Sequence, residues 1–190
     1  MKNIWFVVSV LLTALQPHAI RAQDASLDTC WSCHGQQGLP TDATIPIIRG
    51  QRADYIEAQL RAYRSGDREN QIMNSMAESL TREDIPRQAA LIASLGWPHT
   101  TAPQASAGAD LVAGCKGCHG ADLMGGPSPV GPAPRLAGQN AAYLKSQMVA
   151  FAEGQRSNQE VMQALMKTID ADSKTAIAAY LAGLATTPTP

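Results

Sequence analysis

The hexapeptide CWSCHG at residues 30–35 decides the fold of this 190-residue chain, because it occurs a second time as CKGCHG at residues 115–120. The chain has four cysteines, and the two hexapeptides use all of them. In each copy a histidine, His34 or His119, directly follows the second cysteine. The repetition indicates one kind of site that the chain builds twice.

A longer repeat surrounds the two motifs. The segments GQRADYIEAQLRAYRSGDREN (50–70) and GQNAAYLKSQMVAFAEGQRSN (138–158) align without a gap over 21 positions, with nine identities. Chance gives about one or two at ordinary residue frequencies. The copies are offset by 88 residues here and by 85 at the cysteine motifs, which indicates two domains of one fold rather than a solenoid. We predict domain 1 at residues 23–98, a Pro-, Thr- and Ser-containing linker at 99–107, and domain 2 at 108–190.

Both copies have the pattern of helices. Tyr55, Gln59 and Tyr63 recur at helical spacing, and the second copy repeats the pattern. A later helix is predicted to start near Thr81, with Asp84 three residues on as a capping box. No alternating strand pattern of useful length appears. The predicted fold class is therefore all-α, with two tandem domains.

The N-terminus has the pattern of a secretion signal at residues 1–22. Lys2 precedes the 12-residue apolar run IWFVVSVLLTAL, and Ala22 is a plausible cleavage point. The run falls short of the roughly 20 residues that span a bilayer, although an uncleaved membrane anchor is the alternative. Removing the signal leaves 13 basic against 16 acidic side chains, a net charge of −3. We expect a periplasmic protein that does not bind nucleic acid.

Three alternatives compete for the cysteine pairs. Structural zinc knuckles usually lie about 15–20 residues apart, whereas 81 residues separate Cys33 from Cys115. Thioredoxin-like disulfides sit at a strand-to-helix turn, and no such strand is predicted. Buried structural cysteines leave the histidine in both copies unexplained.

The pattern Cys-x-x-Cys-His is typical of covalent haem c attachment. Two thiols three residues apart on one helical turn reach the two vinyl groups of a porphyrin, and the next residue aims its imidazole at the iron. Aromatic residues make up only 5% of the chain, and a haem in each domain supplies the missing apolar mass. We predict two covalently bound haem c groups. Their attachment residues are Cys30, Cys33, Cys115 and Cys118, and their iron ligands on one side are His34 and His119.

Methionine is the candidate for the sixth iron ligand, because the mature chain has only one other histidine, His99 in the linker. Met73 and Met162 align in the repeat and lie 39 and 43 residues after their histidines. Met124 follows His119 by only five residues, too few to cross to the opposite face of the ring. We interpret the remaining three as core side chains: Met76, Met148 and Met166.

Two prolines fit the same scheme. Pro46 and Pro134 each stand four residues before the shared Gly-Gln. A metal-ligating histidine normally donates its other ring N–H to a carbonyl or carboxylate. The alternative is that both are ordinary turn prolines.

With these residues the chain resembles the cytochrome c4 family of dihaem class I cytochromes c. The resemblance rests on both hexapeptides, on PRLAGQNAAYLKSQ (134–147) with its weaker copy PIIRGQRADYIEAQL (46–60), and on IMNSMAESLTREDI (72–85). It covers nearly all of residues 28–185. The haem subunit of flavocytochrome c sulfide dehydrogenase is similar too.

The resemblance implies that one haem is held by His34 with Met73 and the other by His119 with Met162. It implies that the carbonyls of Pro46 and Pro134 accept the histidine N–H. It also implies domains that pack face to face, and a shuttle that carries electrons in the periplasm toward a terminal oxidase.

The function that we expect is electron transfer between redox partner proteins, a donor and an oxidase or dehydrogenase, without catalysis. The first alternative is the electron-accepting cytochrome subunit of a dehydrogenase such as a flavocytochrome c sulfide dehydrogenase. A dihaem peroxidase or thiosulfate-oxidising enzyme is less favoured, since it needs an open iron position. Peripheral association with a membrane is left open.

Overall fold

The computed structural model describes residues 27–100 and 106–186. The predicted signal peptide and part of the predicted linker lie outside these residues. In domain 1 the chain forms four helices, separated by loops and one short 3₁₀ turn at Gln36–Gly38. They are α1 (Asp28–His34), α2 (Ala53–Ser65), α3 (Gln71–Glu78) and α4 (Asp84–Ser94).

Domain 2 repeats this order with one addition. A 3₁₀ turn (Ala113–Cys115) leads into α5 (Lys116–His119), and the longer helices follow as α6 (Ala141–Ala152), α7 (Glu160–Thr168) and α8 (Ala171–Ala182). Between α5 and α6 lies an antiparallel ribbon of β1 (Gly126–Ser128) and β2 (Gly131–Ala133), in which Gly126 pairs with Ala133. The sequence analysis did not predict this ribbon, because three-residue Gly/Pro strands are too short to show an alternating pattern. The predicted all-α class is confirmed.

Side-chain caps fix where several helices begin. The Thr81 and Asp84 pair forms the predicted capping box: Asp84 N–H donates to Thr81 Oγ1 at 3.1 Å, and Thr81 N–H donates to Asp84 Oδ2 at 3.0 Å. Asn70 Oδ1 accepts the N–H of Met73 at 3.0 Å at the start of α3. These caps satisfy N–H groups that have no partner inside a helix.

Each domain has its own hydrophobic core. In domain 1, α2 packs against α3 and α4, and Leu27, Ile56, Ala89 and Ile92 form the buried cluster. In domain 2, α6 packs against α7 and α8 around a larger cluster, whose buried members are Val112, Leu123, Ala137, Leu144, Met148, Phe151, Met166, Ile177, Ala178 and Leu181.

The first residues of the predicted linker already belong to the packing of domain 2. His99 Nδ1 donates to the carbonyl of Thr186, and Thr100 Oγ1 donates to the carbonyl of Leu184 at 2.7 Å. The domain boundaries themselves stay a prediction. Across the parts of the chain that are described, none of the helices is long and apolar enough to cross a membrane.

The two domains meet along a pseudo-symmetric line of polar contacts. Arg68 and Arg156 form an antiparallel bridge and are only 5% and 6% exposed. Arg68 Nη2 donates to the hydroxyl of Tyr143, and Arg156 Nη2 donates to the hydroxyl of Tyr55, both at 3.1 Å. These arginine and tyrosine identities of the sequence repeat thus lie at the interface between its copies.

Two candidate haem sites

The first Cys-x-x-Cys-His motif lies on a single helix, α1. Cys30 and Cys33 are three residues apart, so their side chains share one face of the helix. The helix ends at His34 because Gly35 follows with a φ of +75°. A Cβ on Gly35 would lie 2.1 Å from the carbonyl oxygen of Leu39. Only glycine therefore allows the chain to turn away directly after the histidine.

The second motif reaches the same arrangement with a tighter local backbone. Cys115 ends a 3₁₀ turn, and Cys118 and His119 lie on the short helix α5. Gly120 has a φ of +86°, and the N–H of Gly125 donates to the carbonyl of His119 at 2.7 Å. Different local geometry thus presents the same three side chains in both domains.

Both histidines are held by a carbonyl. His34 Nδ1 lies 3.1 Å from the carbonyl oxygen of Pro46, and His119 Nδ1 lies 3.1 Å from that of Pro134. A carbonyl only accepts, so the proton of each neutral ring is on Nδ1 and the lone pair is on Nε2. The two histidines are 9% and 7% exposed.

Burial keeps the imidazoles in the form that binds metal. It lowers the pKa of His34 and of His119, and the hydrogen bonds to Pro46 and Pro134 offset part of this effect. The neutral ring is the form that ligates iron through a nitrogen lone pair. The sites therefore offer one oriented imidazole nitrogen in each domain.

The four cysteines belong to two separate motifs and form no disulfide with one another. Burial raises the pKa of the Cys30 thiol and of the Cys115 thiol. Within residues 27–100 and 106–186, no three Cys, His, Asp or Glu side chains are grouped around a position for one metal ion. Both pairs also lie on helical turns rather than after a strand. The zinc and thioredoxin alternatives therefore have no support in this part of the chain.

The predicted methionine ligands lie at equivalent helix positions. Met73 is the third residue of α3 and Met162 the third residue of α7, and both are half-buried. Met148 and Met166 are 8% and 2% exposed inside the core of domain 2, which confirms their interpretation as core side chains. Met124 packs against the same cluster.

Two buried polar atoms fit a cofactor that carries carboxylates. Trp31 Nε1 and Arg135 Nε have no hydrogen-bond partner among the protein atoms. Burial lowers the pKa of the Arg135 guanidinium, and the nearby charge of Arg52 adds to this. The propionates of a haem are acceptors for such donors. The donor set as a whole, two thiols and an imidazole with free Nε2, suits a covalently bound haem in each domain.

An open cleft elsewhere in the molecule is not the haem site. It measures about 1010 Å³ and lies between the domains, with Arg61, Arg64, Val130 and Glu160 among its lining residues. No cysteine, histidine or methionine lines it. We therefore assign the haem sites by their donor chemistry and not by cavity size.

Sequence reasoning missed the residues that join the two sites across the interface. Gln51 and Gln139 were noticed only as identities of the repeat, yet both are buried and bonded to the opposite domain. The signal was present in the sequence, because a polar residue kept in both copies of a domain needs a partner when it is buried.

This fold and these sites define a dihaem class I cytochrome c: two all-α domains, each with its own haem attachment motif. The family model described as Cytochrome c matches residues 105–185. The chain is 30% identical to a cytochrome c4 from Pseudomonas aeruginosa, over 94% of this chain and 98% of that protein. The chain belongs to the cytochrome c4 family.

Two further relatives agree with this assignment. A thiosulfate dehydrogenase electron acceptor from Stutzerimonas stutzeri is 30% identical over 93% of this chain and 92% of that protein. The solved structure of a cytochrome c4 from Acidithiobacillus ferrooxidans superimposes with a TM-score of 0.74 at 30% identity, covering 83% of this chain and 99% of that one. The protein is an electron-transfer cytochrome with two covalently attached haem c groups and redox proteins as partners.

Proposed function

We propose that each domain holds its haem iron between one histidine and one methionine. His34 pairs with Met73 in domain 1, and His119 pairs with Met162 in domain 2; the cysteines form the thioether bonds. The single observation that carries this proposal is the Nδ1 contact of both histidines with a proline carbonyl, which leaves Nε2 for the iron. The equivalent places of the methionines on α3 and α7 support it.

A bound haem supplies a one-electron couple between ferric and ferrous iron. The chain's own residues set how that couple behaves. The thioether of a methionine favours the ferrous state and raises the potential relative to two histidines. The carbonyls of Pro46 and Pro134 fix the ring orientation of the histidines and increase their basicity.

The ligands are tested by comparing Met73→Ala with Met76→Ala, which removes another half-buried methionine from the same helix. The readout is the weak long-wavelength absorption band of methionine-ligated ferric haem. We expect Met73→Ala and Met162→Ala each to remove about half of the band, whereas Met76→Ala keeps all of it. Full intensity in Met73→Ala would contradict the assignment in domain 1.

We propose further that the protein is a periplasmic carrier that takes electrons to a terminal oxidase. Two haems with both axial positions filled from one chain suit transfer without substrate chemistry. The test is to mix the fully reduced protein with membranes that contain the oxidase and to follow reoxidation of both haems in a stopped-flow spectrometer. Reoxidation that an oxidase inhibitor blocks supports the proposal, and reduced haem that persists beside an active oxidase argues against it.

A second candidate role is that of electron acceptor for a thiosulfate-oxidising dehydrogenase. The name of the Stutzerimonas stutzeri relative favours it. The oxidised protein is mixed with such a dehydrogenase and thiosulfate. Fast reduction of both haems supports this role, and reduction no faster than without the dehydrogenase excludes it for that partner.

The proposed location is tested by cell fractionation. The apolar run at residues 4–15 supports export. We expect the haem-stained protein in the periplasmic fraction. Release from membranes by a salt wash would instead indicate peripheral association, and retention after the wash would indicate an uncleaved anchor.

A further inference from the structure

Each domain reaches across the interface with one buried glutamine. Gln139 of domain 2 binds both backbone groups of Ile47: its Oε1 accepts the N–H at 2.8 Å, and its Nε2 donates to the carbonyl at 2.8 Å. Gln51 of domain 1 binds Arg135 in the same way, at 2.9 and 3.1 Å. Gln51 and Gln139 are only 4% and 3% exposed. Water therefore does not replace these contacts.

The glutamines hold the peptide groups that support the histidines. The N–H of Ile47 and the carbonyl of Pro46 belong to one peptide bond, and that carbonyl accepts the Nδ1–H of His34. The peptide group is planar, so fixing its N–H also fixes the direction of its carbonyl. A chain of hydrogen bonds thus joins three groups: Gln139 of domain 2, the 46–47 peptide, and His34 of domain 1.

An equivalent chain of hydrogen bonds runs from Gln51 of domain 1 to His119 of domain 2. The N–H of Arg135 and the carbonyl of Pro134 share a peptide bond, which Gln51 of domain 1 binds on one side and His119 of domain 2 binds on the other. Hydrogen bonds in a chain polarise one another, so an acceptor on the N–H makes the carbonyl a stronger acceptor. A stronger acceptor in turn makes the histidine a more basic ligand.

The two chains of hydrogen bonds differ in how many further bonds the opposite domain makes to the loop that supports the histidine. Domain 2 adds two hydrogen bonds to the loop around Pro46. Asn140 Nδ2 donates to the carbonyl of Ile45 at 2.7 Å, and the N–H of Tyr143 donates to the carbonyl of Ala43 at 3.1 Å. At the equivalent positions of domain 1 the partner is local.

In domain 1 the equivalent residues, Arg52 and Tyr55, bond within their own domain. Arg52 Nε donates to Asp54 Oδ1 at 3.0 Å, and the N–H of Tyr55 donates to the same oxygen at 2.8 Å. The histidine of domain 1 therefore depends on the opposite domain more than the histidine of domain 2 does.

We propose that Gln51 and Gln139 are crossed positioning residues: each sets the axial histidine, and hence the reduction potential, of the haem in the other domain. The inference rests on the histidine ligation proposed above. It makes the domain interface a physical link between the two potentials. Any partner that shifts the interface would change both haems through these two amides.

The test measures the reduction potential of each haem in Gln139→Leu and in Gln51→Leu by spectroelectrochemistry and paramagnetic NMR. Signals are assigned to a haem by their loss in Met73→Ala or in Met162→Ala. Losing the amide weakens the histidine–carbonyl bond and makes the imidazole less basic, which destabilises ferric iron. We expect Gln139→Leu to raise the potential of the domain 1 haem, and Gln51→Leu to raise that of the domain 2 haem by a smaller amount.

The control variant is Gln155→Leu, which changes an exposed glutamine of domain 2 whose side chain bonds to Glu153. It is expected to move neither potential. Gln139→Asn, which keeps an amide but is one methylene short, serves if Gln139→Leu does not fold, and the same crossed shift is expected. Shifts in the haem of the mutated domain, equal shifts in both haems, or no shift would overturn the inference.

Failure of the ligation itself gives a different result. In that case the wild-type protein lacks the absorption band and NMR signals of methionine-ligated haem before any glutamine is changed. Normal wild-type signals together with uncrossed shifts in the variants refute only the role of the glutamines.

Discussion

Gln59 joins the two domains through a single side-chain oxygen. Its Oε1 accepts from Arg68 Nη1 at 2.8 Å within domain 1, and from Arg156 Nη2 at 2.9 Å and Asn158 Nδ2 at 3.1 Å in domain 2. Gln59 is 9% exposed. The substitution Gln59→Leu keeps the approximate size of the side chain and removes this acceptor.

The expected cost follows from the donors that are left behind. Arg156 Nη2 keeps a second acceptor, the hydroxyl of Tyr55 at 3.1 Å. Arg68 Nη1 is a buried donor, and leaving it unsatisfied costs about 1–3 kcal/mol. Asn158 is half-buried, so the loss of its bond costs about 1 kcal/mol. Burial of the leucine side chain stabilises the folded protein by about 1 kcal/mol. We therefore expect the free energy of unfolding to fall by roughly 1–3 kcal/mol.

The assay is guanidinium chloride unfolding of the haem-loaded protein, followed by far-ultraviolet circular dichroism. Gln71→Leu is the control, because Gln71 is the exposed first residue of α3. We also expect Gln59→Leu to broaden the transition, because weaker contact lets the domains unfold separately. A loss below about 1 kcal/mol, or a loss equal to that of Gln71→Leu, would refute the assigned role of this acceptor.

Three smaller predictions concern the packing of domain 1. Thr81→Ala removes the hydroxyl of the capping box of α4 and should cost about 1 kcal/mol of unfolding free energy, measured by chemical denaturation. Hydrogen bonds from Arg87 and then Thr81 lower the pKa of Asp84 to about 2, so its stabilising effect is present above about pH 4 and is lost as the pH falls to about 2. The difference in Tm between wild type and Asp84→Asn should therefore vanish near that lower pH, and a constant difference would contradict it. Gly50→Ala should cost roughly 3 kcal/mol or more, because Gly50 has a φ of +61° and a Cβ would lie 2.1 Å from the carbonyl carbon of Gly96. An unfolding free energy within about 1 kcal/mol of the wild-type value would show that the backbone at residues 96–97 moves to make room for the Cβ.

Much of the fold could be predicted because its signals are local or repeated. The two hexapeptides, the gapless repeat and the helical spacing predict two helical haem domains, and the comparisons confirm the family. The capping box at Thr81 and Asp84 could be predicted because both partners lie within one helical turn. The pairing of methionine with histidine, in contrast, stays a prediction.

The features that were missed depend on contacts between distant residues. The bond between Gln139 and Ile47 joins residues 92 positions apart, and no periodic pattern marks such a pair. The ribbon at Gly126–Ser128 and Gly131–Ala133 is set by turn geometry, in which Ser128 Oγ donates to the carbonyl of Gly131 at 2.6 Å. The contact of His99 with Thr186 likewise needed the folded C-terminus of domain 2.

In the proposed ligation, a histidine and a methionine of this chain saturate each of the two irons. The most direct test is the optical spectrum of the fully reduced wild-type protein before and after the addition of carbon monoxide. An iron with two firmly bound protein ligands has no position for carbon monoxide, so we expect an unchanged spectrum. A haem that binds carbon monoxide readily would contradict the assignment of Met73 or Met162 at that iron, and it would move the protein toward the catalytic alternative.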